Sequence, residues 1–462
     1  MDKKRGSFTG SLGFVLAAAG SAVGLGNIWR FPYLAAKDGG GIFLLVYLIL
    51  ALTFGFTLLT TEVSIGRKTK QSPLTAYKKL QPKWGFLGLI ACIVPIIIMP
   101  YYCAIGGWVL HYFTAFMTGK GGAAAQDGYF SGFITQTTAP LIFMFVFMAA
   151  AFIIVYLGVD NGIEKCSRIL MPILLVLIIG IAVFSLTINH TDENGVTRTA
   201  LEGFKIYVIP NFSGMTIKKL LSVIVDAMGQ LFYSLSVAMG IMIAYGSYMK
   251  DDVNMNKSIN QIEIFDTAVA FLAGMMIVPA VYAFMGTEGM SAGPSLMFVT
   301  LPKVFSAMGG VGILVGIVFF LMVLFAAITS AVSIMEAIVS SFMDHFHITR
   351  RTACITSGVI SLAIGILVCL GYNALYFEFP LPNGSTAQIL DILDYLSNNI
   401  LMPVVSILTC ILIGWVLGPQ TIIGEVEKTG CKMGRKTLFI VMIRFIAPLM
   451  LFVLFLQSIG IL

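Results

Sequence analysis

The chain has 462 residues, of which 58% are hydrophobic and 11% charged, with 47 glycines, and its mean hydropathy is +0.94. Charge at less than half the roughly 25% of a soluble domain excludes an ordinary soluble enzyme, a nucleic-acid binder and a disordered chain; the class is an all-α polytopic membrane protein. The formal net charge of +6 is better explained by where the basic residues fall than by an acidic partner. Cys92, Cys103, Cys166, Cys354, Cys369, Cys410 and Cys431 form no CxxC and mostly sit in apolar runs. They read as small buried residues, not as a disulfide frame or metal site.

A hydrocarbon core takes about 20 apolar residues per helix. Eleven such runs occur, near 10–36, 41–66, 85–115, 139–158, 166–187, 219–248, 259–285, 310–343, 353–371, 388–416 and 437–459. A further apolar piece near 295–307 is too short to span and reads as a hairpin or short helix in an outer loop. With the N-terminus inside, nineteen Lys and Arg residues fall on the cytoplasmic side and seven on the outer side. That bias supports an N-inside orientation, and eleven spans then put the C-terminus outside.

Taken in chain order, the first run carries Gly20, Gly24, Gly26 and Asn27 in mid-span, followed by Arg30. The sixth carries Ser234-Leu235-Ser236-Val237-Ala238-Met239-Gly240, again in mid-span. Backbone leaves the helix at membrane depth only where protein or a watery cavity satisfies it. Interruptions at matching places of two halves point to a transporter site. Small-residue helix packing is the bland alternative for Gly24-Leu25-Gly26. The seventh run contains Asp266, an acid inside a span and so a functional candidate, with an interfacial acid as the alternative. In the eighth, Ala326 and Thr329 share a helical face and Ser330 extends it. Back-bonding of these hydroxyls to the preceding turn is the competing reading. The tenth presents Asp391 and Asp394 three apart.

The run Gly24-Leu25-Gly26-Asn27-Ile28-Trp29-Arg30-Phe31-Pro32-Tyr33 resembles the helix 1 signature of the neurotransmitter:sodium symporter family. Gly39-Gly40-Gly41, Tyr47, Glu62 and Gly66-Arg67 are similar too, as are Tyr101-Tyr102 before Trp108, Asp226-Ala227 before Gln230, and Ala326-Ala327-Ile328-Thr329-Ser330. The resemblance runs colinearly from about residue 5 to 460. It implies one transporter domain over 1–462 with 11 transmembrane helices and a LeuT-like 5+5 inverted repeat. Helices 1–5 would cover 8–187, helices 6–10 would cover 219–416, and helix 11 would lie at 437–460, with helices 1 and 6 unwound in mid-membrane. Many members have twelve helices; the 5+5 core does not need the twelfth.

The resemblance also implies the ligands. One sodium would take carbonyls of Gly20, Val23 and Ala326 with the hydroxyls of Thr329 and Ser330. The other would take the Ala22 carbonyl, Asn27, Ser234 and Asp266, where the family often has Asn. A carboxylate there supplies the charge that chloride brings to chloride-dependent members, so transport is expected to be chloride-independent. The substrate carboxylate would meet the amides of Leu25 and Gly26 at a helix N-terminus, and the Tyr102 hydroxyl. Its amino group would meet carbonyls of Ala22, Tyr233 and Ser234 and the Ser236 hydroxyl. Ile98, Tyr102, Tyr233, Met239 and Ile334 would line an apolar side-chain pocket, with ordinary bundle core as the alternative for each. Gly24 stands where monoamine-transporting members carry Asp, so the substrate brings its own carboxylate, as an aromatic or large aliphatic L-amino acid does. Arg30 with Asp394 would close the outside and Arg5 with Asp344 the inside. Gly162 and Pro172 bracket a stretch of helix 5 that would unwind toward the Thr329 site.

The expectation is a sodium-coupled symporter working by alternating access in the plasma membrane. It would use two sodium ions and no organic cofactor, would not be an enzyme, and would engage an amino acid and the bilayer but no nucleic acid; its oligomeric state is open. The alternatives are a proton-coupled or uncoupled transporter of the same fold with Asp266 as proton carrier, a substrate-sensing receptor, and a channel.

Overall fold

Runs of apolar residues at membrane length become helices because only internal hydrogen bonds can satisfy the backbone there. The computed structural model describes residues 6–191, 195–290, 293–382 and 384–461. Among these, nine unbroken helices are long and apolar enough to cross a membrane. They are span 2 (Gly41–Thr69), span 3 (Pro82–Met117), span 4 (Ala139–Tyr156), span 5 (Val159–Ser185), span 7 (Met255–Met285), span 8 (Gly310–Phe346), span 9 (Arg350–Leu370), span 10 (Ile389–Val416) and span 11 (Lys436–Ser458).

The other two spans are broken. Span 1 is the pair Ser11–Ala22 and Gly26–Lys37, bent by 55°. Span 6 falls into Ile217–Ser234 and Ile241–Tyr248. Neither half passes as a membrane span alone, because the first carries Lys218, Lys219 and Asp226 and the second is short. The short apolar piece is a helix, Leu296–Ala307. Two small hairpins complete the loops, Asn189–Thr191 with Thr197–Thr199 and Phe379–Pro380 with Thr386–Ala387.

The two breaks differ in their chemistry. In span 1 the chain turns extended at Val23 (φ −75°, ψ 96°) and resumes as a wide turn over Gly26–Arg30. In span 6 the left-handed region is entered at Ser236 (φ 53°), Ala238 (φ 64°) and Gly240 (φ 73°). Only the last is a glycine, and left-handed Ser and Ala cost roughly 1–3 kcal/mol each. Span 2 offsets that strain: the buried Glu62 carboxylate accepts the Ala238 amide at 2.5 Å. Span 2 and the inner half of span 6 also touch backbone to backbone. A Cβ on Gly66 would lie 2.0 Å from the Ile243 carbonyl oxygen, and one on Gly246 2.3 Å from that of Val63. Span 8 packs along span 3 and the inner half of span 1, so the span 1 break faces its Ala326–Ile334 stretch.

Candidate functional site

The breaks border a small cavity between them. Its wall comes from span 1 (Ser21 to Asn27), span 3 (Ile98, Tyr102), span 6 (Tyr233, Ser234, Ser236, Met239) and span 8 (Ser330, Ile334). Ala22, Leu25, Gly26, Ile98, Tyr102, Tyr233, Ser234, Ser236, Met239 and Ile334, the positions singled out for substrate, all lie on this wall. The cavity carries no acidic or basic side chain. A Cβ on Gly24 would stand 3.0 Å from the Ser330 oxygen and 3.4 Å from the Tyr102 hydroxyl. That hydroxyl is buried beside Ser330 and the Leu25 amide and, among the described residues, holds no hydrogen bond of good geometry.

Two oxygen clusters flank the cavity. In the first, the Ser330 hydroxyl faces carbonyls of Gly20 (3.4 Å), Ser21 (3.2 Å) and Val23 (3.4 Å). Thr329 stands next to it and donates back to Phe325 (3.0 Å) and Ala326 (3.1 Å). Its oxygen keeps lone pairs while back-bonded, so helix-internal bonding and ion binding are compatible. This donor set, carbonyl and hydroxyl oxygens on freed backbone, suits a hard monovalent cation.

The second cluster gathers four spans around Asp266. Asp266 accepts from Asn27 (2.9 Å), Ser234 (2.7 Å) and Tyr47 (3.4 Å). Asn27 also accepts from Ser234 at 3.2 Å. Gln230 donates to the Gly26 carbonyl at 3.1 Å, which also accepts the Phe31 amide. Asp266 and Asn27 are fully buried, and a buried carboxylate without a formal positive partner calls for a cation or a proton.

The gate residues are placed less completely. Arg30 makes no ion pair with Asp394. The Asp394 carboxylate accepts Asn398 at 2.6 Å instead, while Arg30 lines a vestibule with Asp226, Asn398 and Gln457. Tyr233 lines both vestibule and central cavity, so its ring is the partition between them. Arg5 lies outside the described residues, and Asp344 accepts the Ser72 amide at 2.6 Å. Beneath the first cluster, Met171 of span 5 reaches to 3.1 Å from where a Gly20 Cβ would stand, next to Pro172.

Three roles were not read from sequence, Glu62 being noted there only as part of the resemblance. Glu62 holds the span 6 break, and Ser21 bridges the breaks through Ser236 at 3.1 Å. At the start of span 9, Glu336 joins Tyr248 (2.6 Å) to Arg350, which also holds the Val155 carbonyl at 2.9 Å. Glu62 and Glu336 carried a signal, since each is an acid inside a span; Ser21 carried none.

Two broken helices crossing at a polar–apolar cavity, with oxygen clusters on either side, define a LeuT-fold membrane transporter. A model of the sodium:neurotransmitter symporter family matches residues 5–123 and 131–461, and the chain belongs to that family. It is similar to the uncharacterized sodium-dependent transporter YhdH of Bacillus subtilis, 34% identical over 100% of this chain and 99% of that protein. It is 24% identical to the human sodium- and chloride-dependent GABA transporter 2, over 92% of this chain and 75% of that one. Among solved structures, MhsT in complex with L-phenylalanine matches with 35% identity and a TM-score of 0.83, covering 98% of this chain and 100% of that one.

Proposed function

We propose that this protein is a symporter that moves a hydrophobic or aromatic L-amino acid with two sodium ions, without chloride, by alternating access. One observation carries the reading. A cavity free of charged side chains abuts the freed Leu25 and Gly26 amides and lies between two clusters of convergent oxygens. The amides, the Tyr102 hydroxyl and a neighbouring sodium receive the substrate carboxylate; carbonyls of Ala22, Tyr233 and Ser234 receive its amino group. Ile98, Met239 and Ile334 take the side chain, and the L-phenylalanine of the similar MhsT is consistent with that class. Gly20, Val23, Ala326, Thr329 and Ser330 bind one sodium; Ala22, Asn27, Ser234 and Asp266 bind the other, with the Asp266 charge in place of chloride. Arg30–Asp394 and Arg5–Asp344 close in turn on the outside and the inside, with the N-terminus cytoplasmic, the C-terminus extracellular and the chain in the plasma membrane. The repeats 8–187 and 219–416 supply the two halves.

A tenfold sodium gradient is worth about 1.4 kcal/mol per ion, and 100 mV adds roughly 2.3 per charge. Two ions therefore supply roughly 7 kcal/mol, enough for on the order of 10⁵-fold accumulation. The buried Asp266 also favours a second reading, a proton carrier in a proton-coupled transporter. The test is uptake of labelled tryptophan and leucine into proteoliposomes at fixed pH, with sodium or choline outside. Uptake only in sodium supports symport; equal uptake in choline overturns the sodium assignments and makes Asp266 the leading proton carrier.

A further inference from the structure

A second groove, separate from the central cavity, lies at the N-terminal end of span 3. It holds about 1630 Å³ of empty space between the short helix Pro73–Leu80, the start of span 3 and the end of span 8. Its floor is apolar, with Phe86 (50% exposed) and Leu89 (54% exposed). Its rim is basic, with Lys78, Lys83, His345 and His347. Among the described residues neither Lys78 nor Lys83 forms an ion pair or a side-chain hydrogen bond, whereas the adjacent Lys79 donates to the Thr69 carbonyl at 2.7 Å. Asp344, the acid on the rim, already accepts the Ser72 amide. Trp84 stacks on Phe86 with centroids 5.8 Å apart, an aromatic pair of the kind found where hydrocarbon meets headgroup.

We propose that this groove binds an anionic phospholipid of the adjoining leaflet, its headgroup phosphate on Lys78 and Lys83 and its acyl chains along Phe86 and Leu89. Charge complementarity selects the occupant: two unpaired ammonium groups stand over an apolar trough that opens where the spans meet the interface. A zwitterionic lipid fills the trough but leaves the lysine charges unopposed. The site also has a route to the central one. The helix bearing Lys78 starts at Pro73, whose ring lies 2.6 Å from where a Gly240 Cβ would stand, at the end of the span 6 break. Lipid in the groove therefore braces the element on which the inner half of span 6 rests.

The test is retention of phosphatidylglycerol by the purified full chain, read by native mass spectrometry after reconstitution in phosphatidylcholine with a minor fraction of phosphatidylglycerol. Each lysine near a charged surface contributes about fivefold in binding, so Lys78→Gln with Lys83→Gln lowers retention about 25-fold. Lys78→Arg with Lys83→Arg retains it. Lys257→Gln with Lys432→Gln, on the same basic face but off the groove, lowers it by clearly less. Equal loss in the off-groove pair would mean general surface attraction and overturn the site, as would full retention in the first pair. Displacement by free glycerol phosphate would overturn the role of the acyl chains. Because retention is read without transport, failure here is separable from failure of the symport assignment.

Discussion

Replacing Asp266 by Asn removes one negative charge from a fully buried cluster and keeps its volume. The carboxylate accepts from Asn27, Ser234 and Tyr47 at 2.9, 2.7 and 3.4 Å. Two unit charges about 4 Å apart interact by about 4 kcal/mol at an effective dielectric of 20. The amide oxygen still coordinates, and the cost of burying a carboxylate disappears. The net loss is therefore about 1.5–3 kcal/mol, comparable to losing one hydrogen bond to a charged group, or about 10- to 150-fold in sodium affinity. The assay is binding of labelled substrate to purified protein across a sodium titration, in chloride and in gluconate. Wild type gives the same curve in both anions. Asp266→Asn shifts the curve in gluconate and recovers part of the affinity in chloride. Loss of wild-type binding in gluconate would refute the reasoning, and so would an Asn variant whose gluconate curve matches wild type.

Gly24→Asp places a carboxylate against Ser330 and Tyr102, where the Cβ already stands 3.0 and 3.4 Å away. Leucine uptake is abolished and tryptamine, which lacks the carboxylate, becomes a ligand; retained leucine uptake would contradict the carboxylate's assigned place. Glu62→Ala leaves the Ala238 amide unsatisfied, so the protein loses about 1–3 kcal/mol of stability, read as a lower unfolding midpoint, and binds substrate more weakly. Pro172→Ala restores a helical hydrogen bond in span 5 and slows sodium release several-fold while leaving binding unchanged; normal release would sink the unwinding route. In the turn between spans 1 and 2, burial and then the Asp226 carboxylate push the Asp38 carboxyl up to about 7. A raised acid pKa contributes stability that is full below the unfolded value and lost as pH rises through about 7. Asp38→Asn should therefore raise the unfolding midpoint more near pH 8 than near pH 5, measured by thermal denaturation.

Legibility followed from whether a residue's role was local. Span existence was readable because twenty apolar residues have one outcome in a bilayer, and the span 1 break because Gly20, Gly24 and Gly26 weaken a helix by themselves. The span 6 break was readable in place but not in mechanism: Ser236 and Ala238 look like helix formers, and what holds them left-handed is Glu62 from another span. Asp266 was legible as an acid inside a span, yet its meeting with Asn27 and Ser234 is a tertiary fact. Whether Arg30 and Asp394 pair could not be read at all, because that depends on how spans 1 and 10 sit against one another rather than on composition.

The hydrogen-bond lengths sort the polar groups at the breaks into two kinds. Glu62 to Ala238 at 2.5 Å and Ser234 to Asp266 at 2.7 Å are tight, whereas Ser330 reaches its three carbonyls only at 3.2 to 3.4 Å. An O–H···O bond is most favourable near 2.7–2.8 Å, so Ser330 is a loose substitute that leaves the Gly20 and Val23 carbonyls under-satisfied, while that of Ser21 also accepts the Ser236 hydroxyl at 3.0 Å. A cation offering shorter contacts to the same oxygens displaces nothing strong and gains all of them at once. Its binding then ties the unwound segment of span 1 to span 8, while Glu62 keeps the break of span 6 on span 2 throughout. A sodium ion at the first cluster, as proposed, would thus be coupled to the relative position of spans 1 and 8 for the same reason the cluster exists: freed carbonyls that the protein alone satisfies poorly.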